Sequence, residues 1–187
     1  MTLHKNVEDD EYFLQLDKND LEKEFIYFAY VLNAPQAAGV RGGAIGQGAV
    51  LEFRRFKDEI ALFKKNTNFS NETDNNIGKA DLTNIMEAFL DSFEVVVEEG
   101  ESIVISVSDL FLSETLTSVS PNLPREYRDF VDLDLGRLDD DKTFINQVRN
   151  YPKNTAVEVT FGFSNPKPNQ RNAVYAVADA RFTSIVA

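Results

Sequence analysis

The 187-residue chain contains no cysteine, no tryptophan and one histidine. Without cysteine, disulfides, thiolate-bound zinc and cysteine nucleophiles are excluded from these residues. A catalytic zinc takes about three protein ligands, commonly including two histidines, so His4 alone cannot build one. His4 also stands in a polar segment, whereas a Ser–His–Asp triad needs an imidazole held by a third group. No His-Glu-x-x-His segment occurs. Long apolar runs are missing too, and none reaches the roughly 20 residues that a membrane-spanning helix needs. Residues 1–10 are polar and acidic, without the apolar centre of a signal peptide. The expectation is a cytoplasmic chain, or an export signal lying outside it.

Positive charge is scarce: 19 Lys and Arg stand against 31 Asp and Glu, a formal net charge of -12. Such a surface repels phosphate backbones and anionic lipid. Neither nucleic acid nor membrane insertion is therefore expected, and the acidity is read first as keeping the chain in solution.

What is present is an ordinary globular composition, 43% hydrophobic and 27% charged. A chain of this length can bury a core without metal or disulfide. Fifteen Phe and six Tyr suggest strands with an aromatic core. Residues 1–10 read as a polar tail and 11–187 as a single β-rich domain. Tyr12, Leu14 and Leu16 alternate as a strand. Residues 25–32, apolar throughout, read as a strand buried on both faces. Residues 35–48 form a glycine-rich loop. Val50–Phe56 and Glu59–Lys64 read as a hairpin turning at Lys57-Asp58.

Leu82, Ile85, Met86, Phe89, Leu90 and Phe93 fall at helical spacing and predict a main amphipathic helix over about 81–93, with Asp81 at its positive end. Residues 93–97 run out into a strand, and the acidic turn 98–101 leads to Ser102–Val107. Ser108 predicts the cap of a short second helix over about 109–114. Residues 144–149 are ambiguous. Residues 156–163 alternate as a strand, and 173–186 as a longer one still in progress at the last residue. The expected fold class is α+β: a predominantly antiparallel sheet carrying one main helix and one short one.

For metals, the best calcium candidate is the acidic stretch with Asp132, Asp134 and Asp139 around Gly136. As an EF-hand it lacks the bidentate Glu, for Thr143 stands at the twelfth position. A solvated acidic loop is the default reading. The glycine loop has neither phosphate-binding spacing and runs into a strand rather than a helix. Its backbone amides with Arg41 could form an anion nest, but a flexible connection needing positive φ is the favoured reading. Acidic residues are too numerous to single out a glycosidase pair. Asn68-Phe-Ser70 and Asn71-Glu-Thr73 match the N-glycosylation pattern, which is frequent by chance.

The order of segments nevertheless has a counterpart. Residues 12–16, 25–28, the loop ending Gly46-Gln-Gly48, 50–54 and 60–63 form one pattern. Leu82–Phe93 followed by Val95, then Asp109–Leu112, continue it. Tyr151-Pro-Lys-Asn-Thr155-Ala-Val-Glu-Val159 is its most specific part, and Arg181–Val186 its last. Together these resemble the uncharacterised N-terminal domain of bacterial zinc-dependent metalloproteases with an extended, metzincin-like His-Glu-x-x-His motif. The likeness covers about Glu11 to the end. Val40-Arg-Gly-Gly43 departs from the Leu-Asp-Arg-Gly of that family's loop.

The resemblance implies a non-catalytic accessory domain that supports or positions a downstream protease domain, or its peptide substrate. Zinc is expected only in that downstream domain, and no cofactor in this chain. It also implies a parent protein in the periplasm or at the cell surface. Arg41, Gly42, Gln47 and Asn154 are the candidate interface residues. The alternative is an independent peptide- or glycan-binding β module, which exposed aromatics on one sheet face would favour. An enzyme using carboxylates alone is the third reading.

Overall fold

The computed structural model describes residues 1–46, 48–67, 86–120, 132–168 and 177–187. The chain divides into two compact units, Met1–Phe28 with Gly48–Val107, and Ala29–Gln47 with Ser108–Ala187.

The first unit is a seven-stranded sheet of β1 (Thr2–Lys5), β2 (Tyr12–Asp17), β3 (Glu24–Tyr27), β4 (Ala49–Phe56), β5 (Glu59–Lys64), β6 (Ala88–Glu99) and β7 (Ser102–Ser106). The order is β1-β2-β7-β6-β5-β4-β3, and every pairing is antiparallel. Alternation places Tyr12, Leu14 and Leu16 on one face of β2, where all three are buried. Ile103 and Ile105 of β7, Phe93 of β6, Ile60 and Leu62 of β5, and Leu51 and Phe53 of β4 complete that core face. Apolar residues two apart on paired strands must share a face, so this set follows from register. The β4–β5 turn is Lys57-Asp58, with Lys57 at φ 57.

The second unit is built around β10 (Thr155–Ser164). It pairs on one edge with β11 (Phe182–Val186) and on the other with β8 (Arg137–Leu138) and β9 (Phe144–Asn150), all antiparallel. A short helix, α1 (Ser108–Leu112), buries Leu110. Phe161, Phe163, Ile185, Leu133 and Leu135 are buried with it. A 3-10 turn, Asp140–Lys142, backs so closely onto β10 that a Cβ at Gly162 would collide with Lys142. The Thr143 hydroxyl accepts from the Gly162 N–H at 3.1 Å, and the Gly162 carbonyl accepts from Asp139 N–H at 2.8 Å.

Four expectations are corrected. The fold is not α+β with a main amphipathic helix. Residues 81–85 of that helix lie outside the described residues, but from Ala88 onward the chain is the 12-residue β6. Phe89 and Phe93, four apart, satisfy a helical stripe and a strand equally well, and the pairing of Ala88–Glu94 with β5 decides for strand. Among the described residues helix is limited to α1, close to the expected second helix, and three 3-10 turns. Second, residues 25–32 are not one doubly buried strand. β3 covers only Glu24–Tyr27 at the sheet edge, and Ile26 is 83% exposed. An edge strand with one covered face buries alternate residues only. Third, Thr2–Lys5 of the expected tail form β1, with Leu3 buried. Fourth, residues 173–176 of the expected last strand lie outside the described residues, and β11 begins only at Phe182, after a turn at Asp179–Arg181 held by the Asp179 carboxylate on the Arg181 N–H and guanidinium.

Candidate functional site

The first unit carries a polar and aromatic array on the sheet face opposite its core. Register builds it: Glu52, Arg54 and Phe56 alternate along β4, facing Phe63, Ala61 and Glu59 of β5. β6 adds Phe89 beside Phe63, Ser92 beside Ala61 and Glu94 beside Glu59. Phe89 reaches this face because the pairing shifts between Leu62 and Phe63, making Leu90 an extra residue. A bulge turns every side chain beyond it to the other face, so Phe89 and Phe93 part company.

Within the array, ions and rings pack together. The Arg54 guanidinium donates to Glu52, and to Glu87 at 2.6 Å. The Lys65 ammonium lies 2.6 Å from Glu87, 3.2 Å from Glu52 and 3.8 Å from Glu24. Arg54 also lies over the Phe63 ring, 4.6 Å from its centroid. Glu52 is only 5% exposed, which a carboxylate tolerates when paired and hydrogen-bonded. Phe89 meets Phe63 and Phe56 edge to face, at 5.5 and 6.0 Å. Together the three rings flank Ala61, which is fully buried although it points away from the core.

The electrostatics define what this array does. Arg54 and then Lys65 hold the Glu87 carboxyl down to about 2. Glu52 is lowered by the same two cations, Arg54 foremost. Glu87 and Glu52 in turn raise Lys65. A general acid or base works best with a pKa near the operating pH; these carboxylates are driven the other way. The network is a clamp that ties the lead-in to β6 onto β4 and the end of β5. At the rim of the array, Phe56 is 44% and Phe89 52% exposed.

The residues singled out from sequence lie elsewhere, in the second unit. Asp134 and Asp139 border one open acidic depression, and Asp132 is not part of its lining. The Asp134 carboxylate accepts from the Gly136 N–H at 3.1 Å, across a turn where Gly136 has φ 82. Asp139 accepts from the Lys142 ammonium and the Ser164 hydroxyl, and Lys142 first holds its carboxyl below the usual range. Among the described residues, no group of three or more His, Cys, Asp or Glu is placed to hold a metal ion.

Arg41 and Gly42 are exposed in the glycine loop, Asn154 is exposed between β9 and β10, and Gln47 lies outside the described residues. The loop folds back on residues 29–33, with Val31 N–H donating to Ala44 at 2.9 Å and Gly46 N–H to Ala29 at 2.8 Å. Asn154 closes its own turn by accepting from Tyr151 N–H at 2.8 Å. No hydrogen bond or ion pair among the described residues joins Arg41 to Asn154. His4 sits exposed on β1, its Nε2 3.0 Å from Gln15.

The clamp residues escaped the sequence reading. Glu52 and Arg54 do alternate on a legible strand, which was the available signal. Glu87 stood within an expected helix, where its cross-strand partners cannot be seen.

A family profile described as a domain of unknown function (DUF5117) matches residues 42–185. No curated protein and no solved structure matches the chain.

Proposed function

The chain belongs to the DUF5117 family, and from that premise we propose that it is a non-catalytic accessory domain of a zinc-dependent metalloprotease-like protein. In this reading it supports or positions the catalytic domain or its substrate, and the parent protein is bacterial and exported. The observation that carries the proposal is chemical: a family-like order of segments in a chain with one histidine and no cysteine. A zinc centre must then come from other residues of the parent. The rim formed by Phe56 and Phe89 supports it, since half-exposed aromatics are enriched where proteins meet.

The test is to read the gene beyond Ala187 and to co-express the segment encoded downstream. A downstream domain with His-Glu-x-x-His and a third histidine, stabilised by this chain, is the expected result. A stop codon directly after Ala187, with no protease domain encoded nearby, overturns it.

The second reading is an independent β module that binds peptide or glycan. The clustering of Phe56, Phe63 and Phe89 on one sheet face favours it. Binding of free peptides by the isolated chain, with no effect on any neighbouring protease domain, would select this reading.

A further inference from the structure

We propose that the Phe56–Phe89 rim is a docking surface for a polypeptide segment that presents a lysine or arginine next to an apolar side chain. The inference rests on the rim being a binding face, as both functional readings hold, and adds the chemistry of its partner.

Two neighbouring features carry it. Phe56 and Phe89 expose 44% and 52% of their surface with ring centroids 6.0 Å apart. Beside them, Glu59 of β5 and Glu94 of β6 stand directly opposite each other, and Glu59 is also the cross-strand partner of Phe56. Both carboxylates are exposed. Like charges directly opposite in a sheet are destabilising. Among the described residues, no ion pair or hydrogen bond relieves either one.

The cations of the neighbourhood are otherwise engaged. Arg54 and Lys65 are held in the clamp, and Arg55 is bound to Glu98 at 2.7 Å. Lys57 rests over the Phe56 ring, 5.3 Å from its centroid, and Asp58 adjoins it in the turn. The charge left at this end of the sheet is therefore negative. A cationic side chain entering between Glu59 and Glu94 would offset their repulsion, and the rings offer it a π face. An adjacent apolar side chain would cover the exposed ring edges. An acidic partner meets repulsion instead, so the same carboxylates discriminate.

The experiment uses the full chain and three fluorescein-labelled hexapeptides of alternating Lys-Leu, Glu-Leu and Lys-Ser, read by fluorescence anisotropy. The Lys-Leu peptide should bind at least tenfold more tightly than either of the others. The double variant Glu59→Gln, Glu94→Gln should weaken that binding at least tenfold while its melting temperature stays level or rises. Phe56→Ala should weaken it as well. The double variant Asp140→Asn, Asp141→Asn removes the same charge from the second unit and should leave binding unchanged.

Equal weakening by the Asp140/Asp141 variant would show attraction to overall charge alone and overturn the proposal. Equal binding of the Glu-Leu peptide would overturn the cationic preference while leaving a binding face in place. No binding of any peptide would overturn both. A concentration-dependent dimer abolished by Phe56→Ala would assign the rim to a second copy, and so overturn the proposal too.

Discussion

At the scale of single residues, the two phenylalanines of β6 separate two kinds of burial. Phe93 is buried and meets Phe53 edge to face at 6.4 Å in the core. Phe93→Ala should therefore cost about 3–5 kcal/mol in urea unfolding. Phe89 keeps half its surface in water, and its loss should cost about 1–2 kcal/mol, mostly ring-pair energy and partial burial. Equal costs at the two positions would mean that Phe89 is covered in solution. Gly162 is a second single-residue test. Because Lys142 occupies the space of a Cβ there, Gly162→Ala should destabilise by about 1–3 kcal/mol through overpacking and backbone shift. An unchanged denaturation midpoint would show that the 3-10 turn yields freely.

At the scale of elements, the clamp gives the sheet an acid-sensitive fastening. Glu87, with an ordinary value of 4.5, is lowered to about 2 by Arg54 and Lys65. A carboxyl whose folded pKa is depressed contributes stability that is fully present above its unfolded pKa and lost as pH falls through the folded one. Stability should therefore decline from about pH 4.5 towards pH 2, and Glu87→Gln should flatten that decline. Denaturation midpoints across this range would check it, and identical acid limbs would dismiss the clamp.

The acidic depression makes the opposite kind of element. Asp139 already holds the Lys142 ammonium and the Ser164 hydroxyl, so calcium would have to displace them. Millimolar calcium should leave the melting temperature nearly unchanged. A rise abolished by combined Asp132→Asn and Asp134→Asn would reverse this.

At the scale of the whole molecule, the expected behaviour comes from composition and family. A single histidine and no cysteine leave the purified chain without the ligands of a zinc peptidase. It should not hydrolyse casein, with or without added zinc, and zinc-dependent hydrolysis by the pure chain would contradict the accessory reading.

Sequence alone determined the strongly alternating strands. β2 and β7 are legible because one buried face imposes period two on neighbouring residues, and the β4–β5 hairpin and β10 because their apolar runs are bounded by turns. It also determined that these residues carry no disulfide or thiolate, because a residue type missing from a chain cannot be supplied by folding. Tertiary structure decided the rest. The segment at Ala88–Phe93 reads as helix because a spacing of four fits both periods, and only its pairing with β5 makes it a strand. The extra residue Leu90, which sends Phe89 and Phe93 to opposite faces, exists only relative to a partner strand. The clamp joins Glu52, Arg54, Lys65 and Glu87 from three separate stretches, and no local pattern records such a meeting. The division into two units leaves no mark either, since residues 29–47 and 108–187 join one unit although residues 48–107 separate them in sequence. Local periodicity carries information about neighbours in sequence, whereas register, bulges and ion networks belong to neighbours in space.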